Sequence, residues 1–175
     1  MSFKIINIAT LLLAVASSSV YAHNNLLGTL GTSTTARDVI LFKCSAQPGI
    51  TVGSVSAQDG ATINAAAKIK VQIAKATGTT AVAASCPAFA SPAAPTNLAA
   101  PWTAGQTTGN DSGAWSTRTY ISVSQVSPNN YYCIAVSKDA AVAGTEDYSL
   151  NHHCEVFKGD ITHQQSSLVG YIQNQ

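Results

Sequence analysis

Residues 65–76 read AAAKIKVQIAKA, and whether they form a helix or a strand decides the fold class. The alanines favour a helix. From Lys68 onward, however, the pattern alternates strictly. Ile69, Val71 and Ile73 fall on one parity, and Lys68, Lys70 and Gln72 on the other. Period two with β-branched residues predicts a strand with one apolar and one wet face.

Other segments agree. RDVILFKCS (residues 37–45) is apolar on both parities, as a strand covered on both faces would be. ITVGSVS (50–56), STRTYISVSQV (116–126), YYCIAVSK (131–138) and YSLNHHCEVF (148–157) are also strand-like, with turn signals between them such as SPNN at 127–130. ATGTTAVAAS (76–85) reads as a turn and a weak strand, and Leu168 to Ile172 as an added edge strand. About seven short strands without a clear helix predict an all-β, antiparallel β-sandwich of jelly-roll-like type.

The first 22 residues differ in kind. Lys4 precedes the apolar run IINIATLLLAVA, and then come SSS and Val20-Tyr21-Ala22. That order predicts a secretory signal peptide at 1–22, cleaved after Ala22, with one β-sandwich domain at 23–175. The apolar run is shorter than the ~20 residues of a membrane-spanning helix. The expected location is secreted or periplasmic, with no membrane span after cleavage.

Charge narrows the partners. The chain has nine Lys and Arg against eight Asp and Glu, and Lys4 is the surplus cation, so the remainder is balanced. Nucleic-acid binding needs clustered cations to neutralise phosphates. Lys68, Lys70 and Lys75 fit an outward strand face better. An apolar content of 46% is that of a folded domain.

Cys44, Cys86, Cys133 and Cys154 all follow the signal peptide. An even number in an oxidising compartment predicts two disulfides, with three possible connectivities. Cys44–Cys154 is preferred, because each ends a strong strand near one end of the domain. Cys86–Cys133 would then pin a loop onto a strand.

That loop runs from Pro87 to Trp115 and is rich in Pro, Ala, Gly and Thr. Its prolines forbid regular ladders, and long loops often carry function. Trp102 and Trp115 lie in it. They are the candidate ligand-binding residues, as a stacking platform for a sugar or an apolar partner surface. The alternative is that they cover an open end of the core.

The stretch PNNYYCIAVSKDAAVAGTEDYSLNHHC (128–154) resembles the pre-peptidase C-terminal β-sandwich module. In that family a G-x-Y-x-x-x-V turn and strand leads to a closing Y-x-L, and Tyr131, Val136, Tyr148 and Leu150 stand in those places. TTARDVILFKCS (34–45) is similar to its first strand. The resemblance implies a non-catalytic module serving secretion, surface attachment or substrate contact. Where the family carries a D-x-D strand able to bind calcium, this chain has KIKVQIAK, so no calcium comes with the resemblance.

Catalytic signatures are thin. There is no G-x-S-x-G elbow, and Glu146 and Asp147 are adjacent rather than paired across a site. Cleavage after Ala22 would leave His23 first. Its α-amino and Nδ1 nitrogens, with a second imidazole, make a three-nitrogen arrangement suited to copper, similar to the histidine brace of secreted copper proteins. By strand parity His153 is the solvent-side partner, and His152 faces the core. The main expectation is a secreted, non-catalytic binding, adhesion or surface-structural module for a protein or glycan ligand. The alternative is a periplasmic copper-binding protein using His23 and His153.

Overall fold

A computed structural model describes residues 24–45, 48–60, 67–89, 97–108, 113–124, 127–160 and 166–175. The expected signal peptide and His23 lie outside them. Among the described residues the strands are β1 (Asn24–Leu30), β2 (Arg37–Cys44), β3 (Val52–Asp59), β4 (Ile69–Lys75), β5 (Gln106–Thr107), β6 (Thr119–Ser122), β7 (Tyr131–Lys138), β8 (Glu146–Glu155) and β9 (Ser166–Gln173). They form two antiparallel sheets, a four-stranded one ordered β1-β8-β3-β6 and a five-stranded one ordered β5-β4-β7-β2-β9. The segment expected as a weak strand before Cys86 instead holds a short 3-10 turn, Ala83–Ser85.

The sheets face each other over one core. Ile40 and Phe42 of β2, Ile69, Val71 and Ile73 of β4, and Tyr132, Ile134 and Val136 of β7 meet Val55 and Ala57 of β3 and Tyr148 and Leu150 of β8. The Cys44–Cys154 disulfide joins β2 to β8, and so one sheet to the other. In the chain-entropy model a closed loop of that length stabilises the fold by about 5 kcal/mol.

The Pro/Ala-rich loop adds a third layer. Val39 and Leu41 of β2, Ala74 of β4, and Cys133 and Ala135 of β7 face away from the main core. They pack with Leu98, Trp102 and Cys86 in a second cluster. The Cys86–Cys133 disulfide fastens this layer to β7. The five-stranded sheet is therefore covered on both faces, which is why β2 is apolar on both parities.

This layer overturns the expectation of a wet face on β4. Lys70 and Gln72 are 5% and 2% exposed. The Gln72 amide donates to the carbonyls of Thr103 at 2.7 Å and Leu98 at 3.2 Å, and its Oε1 accepts from Leu98 N at 2.9 Å. One side-chain amide thus satisfies loop backbone that a strand ladder cannot reach.

The amino-terminal segment is strand β1, paired with β8 from Asn24↔His152 to Leu30↔Glu146. Gly28 lies opposite Tyr148, and a Cβ there would collide with the tyrosine ring. Lys138 closes one end of the sandwich. It is fully buried, and its Nζ donates to the carbonyls of Gly31, Ser33, Val142 and Gly144. No helix among the described residues is long and apolar enough to cross a membrane.

Candidate functional site

The outer face of the four-stranded sheet is polar. Strand parity places Ser54, Ser56 and Gln58 of β3 beside His153, Asn151 and Ser149 of β8, and Asn25 of β1 beyond them. Short polar side chains make this face flat. Two longer ones rise from the chain just before β6.

A one-residue bulge brings them there. β6 pairs with β3 at Val55↔Thr119, and the next bridge is Gln58↔Trp115. Three steps along β3 therefore match four steps along the facing segment. An extra residue in one strand flips the parity of everything beyond it. Arg118 and Trp115 have opposite parities in the sequence, yet both reach the outer face. Ser116 anchors the bulge. Its backbone N donates to Ala57 O at 2.7 Å, and its Oγ accepts from Ala57 N at 3.0 Å.

Between them lies a shallow groove of about 500 Å³ lined by Asn25, Ser56, Trp115, Ser116, Arg118 and Asn151. Trp115 is 40% exposed at its rim. The Arg118 guanidinium crosses β3. Nη1 donates to Ser54 Oγ at 3.1 Å and Asn151 O at 3.4 Å, and Nη2 donates to Asn151 Oδ1. Asn151 Nδ2 donates in turn to Asn25 Oδ1 at 3.1 Å. Behind Arg118, Ser54 Oγ donates to Glu155 Oε1 at 2.5 Å, and Gly159 N donates to Glu155 Oε2 at 2.9 Å. A hydroxyl therefore stands between guanidinium and carboxylate. Burial lowers the Arg118 pKa, and Glu155 opposes that shift.

The two tryptophans part company. Trp102 is 6% exposed, packs in the second cluster, and donates Nε1–H to Ala88 O at 3.0 Å. It covers core rather than meeting solvent, because the loop around it folds onto the sheet. Trp115 alone of the pair stands at a surface groove.

The histidines also differ from expectation. His153 does face outward by parity, but it is fully buried. Arg118 reaches across β3 to Ser54, directly opposite His153, and to Asn151 beside it, so this face is not bare. Among the described residues no three or more of His, Cys, Asp and Glu gather as metal ligands. His152 faces the core against Phe42, ring centroids 4.2 Å apart, and burial lowers its pKa to about 4. Its Nδ1 shares a 2.5 Å hydrogen bond with Ser166 Oγ. Ser166 Oγ donates to His152 O at 3.2 Å, so it accepts from Nδ1–H rather than giving it a proton, and both residues are 4% exposed.

Arg118, Asn151, Asn25, Ser56 and Ser116 were not singled out from the sequence. The alternating STRTYIS pattern does not reveal a bulge, and without it Trp115 and Arg118 belong to opposite faces.

No family model matches this chain, and no curated protein matches it. Among solved structures, the crystal structure of the Yersinia pseudotuberculosis-derived mitogen is similar over 84% of this chain and 97% of that chain, at 13% sequence identity and a TM-score of 0.39. A likeness at that level carries no argument about function.

Proposed function

We propose that this chain is a secreted, non-catalytic binding module that contacts a glycan at the Trp115 groove. The observation that carries this reading is the placement of a half-exposed indole beside the guanidinium and amides of Arg118, Asn151 and Asn25 on a flat sheet face. Indole offers an apolar face to the C–H side of a sugar ring. Amides and guanidinium offer hydrogen bonds to ring substituents in fixed directions. The lining is open and shallow, as a surface-bound chain of sugars requires. Two disulfides fit an oxidising compartment, in keeping with the expected signal peptide. The buried His152–Ser166 pair and four disulfide-bonded cysteines support a non-catalytic role. The copper alternative gains no support from His153, which is enclosed.

The test is glycan-array binding by the purified protein and its Trp115→Ala variant. Retention of at least one glycan class, weakened tenfold or more in the variant at unchanged melting temperature, is the expected result. A folded protein that retains no glycan, or whose binding ignores the substitution, would sink this reading.

A further inference from the structure

Resting on the glycan reading, we infer that the groove selects a sugar bearing a carboxylate, with Arg118 as the group that reads it. Hydrogen-bond arithmetic leads there. A guanidinium has five N–H donors. Three of those of Arg118 are committed, to Ser54 Oγ, Asn151 O and Asn151 Oδ1. Two remain without an acceptor among the described residues. Asn25 is exposed, lines the groove and already accepts from Asn151 at Oδ1, so its side chain adds amide N–H donors there. Ser116 Oγ accepts from Ala57 N and donates to Thr117 O, which spends it internally. What the groove offers a ligand is therefore mostly donors.

Charge points the same way. Glu155, a carboxylate on this face, is fully buried and is held by Ser54 Oγ and Gly159 N. Asp147, on the same face of β8, accepts from Thr29 Oγ1 at 2.5 Å, and neither carboxylate lines the groove. The ligand side of Arg118 thus meets a positive charge with no acidic side chain among the groove's lining residues. A planar carboxylate with two oxygens complements a guanidinium edge in a way a hydroxyl does not. The Asn151 contacts hold that guanidinium in place, so little side-chain freedom is lost on binding. Trp115 stacks on the ring that carries the acid.

The experiment pairs each acidic oligosaccharide with its own methyl ester. Tri-galacturonate and sialyllactose serve as probes, titrated by calorimetry and by Trp115 fluorescence. At least one acid is expected to bind tenfold or more tightly than its ester, and the preference should shrink as salt rises. Arg118→Lys should reduce that preference severalfold. Asn25→Asp, at an exposed position, should reduce it as well by placing a negative charge at the groove. Trp115→Ala should weaken acid and ester by similar factors. Equal binding of acids and esters would overturn this inference while leaving the glycan reading intact. Binding of neither, by protein that retains its melting temperature, would overturn both.

Discussion

Tyr148 on β8 donates its hydroxyl to Asp38 Oδ2 on β2 at 2.6 Å, a single hydrogen bond that crosses from one sheet to the other. The tyrosine ring fills the space beside Gly28 on β1. Asp38 Oδ1 accepts from Gln175 N at 2.8 Å, and Gln175 O accepts from Gly31 N at 2.6 Å. One carboxylate therefore ties β8, β2 and the last described residue together.

Tyr148→Phe should cost about 1–3 kcal/mol, because a buried carboxylate loses one of its donors. Burial raises the Asp38 pKa, and the Tyr148 bond opposes that rise. A raised carboxylate pKa gives stability that is present below the unfolded pKa and lost as pH rises through the folded one. Removing the tyrosine donor strengthens this trend. Urea denaturation should show a larger loss at pH 7 than at pH 4. Equal losses at both would contradict the assignment.

His152 gives a slope of the opposite sense. Its folded pKa is about 4 against 6.5 for an ordinary histidine, mainly through burial, with Arg118 adding repulsion. Unfolded chain takes up the proton first. Stability is then full above pH 6.5 and declines as pH falls toward 4, by about 3 kcal/mol. His152→Gln should flatten that part of the curve.

The tryptophans should separate by thermodynamics. Trp102→Ala empties part of the second cluster and is expected to cost about 3–5 kcal/mol. Trp115→Ala should cost about 1 kcal/mol or less, as a surface change does. Guanidinium denaturation of both variants measures the difference. A costly Trp115→Ala would make that ring structural.

Loss of the Cys86–Cys133 bridge, as the double alanine variant, should cost at most about 4 kcal/mol by chain entropy and leave the two sheets in place. Limited proteolysis under native conditions is expected to cut first between Thr77 and Gly105. Cuts elsewhere would mean the bridge supports more than its layer.

Lys138→Met should cost about 2–4 kcal/mol. It removes the donor from four carbonyls in two connections and leaves Glu146 buried beside an apolar chain. Thermal melts compared with Lys138→Arg would show whether charge alone suffices.

Periodicity and cysteine arithmetic carry far in this chain. The apolar parities of β2 reflect a sheet covered twice, and the preferred pairing of Cys44 with Cys154 and Cys86 with Cys133 is the one present. β9 takes the edge position its pattern suggests. β1 was harder to see. Leu27 faces outward at 71% exposure, and the inward place between Leu26 and Leu30 belongs to a glycine whose volume Tyr148 supplies. The wet face assigned to β4 failed for a similar reason. Gln72 looks solvated until a loop arrives to use its amide, and no periodicity encodes that arrival. The candidate groove was half legible. Trp115 could be named, but its neighbours depend on a register.

The bulge before β6 makes the outer face of the four-stranded sheet a matter of register as well as of side-chain type. Were the same residues to pair evenly with β3, Trp115 would stand opposite Asp59 and turn toward the interior. Loss of the bulge would then erase the groove while every lining residue stayed encoded. Comparisons that score only identities would overlook such a change of register.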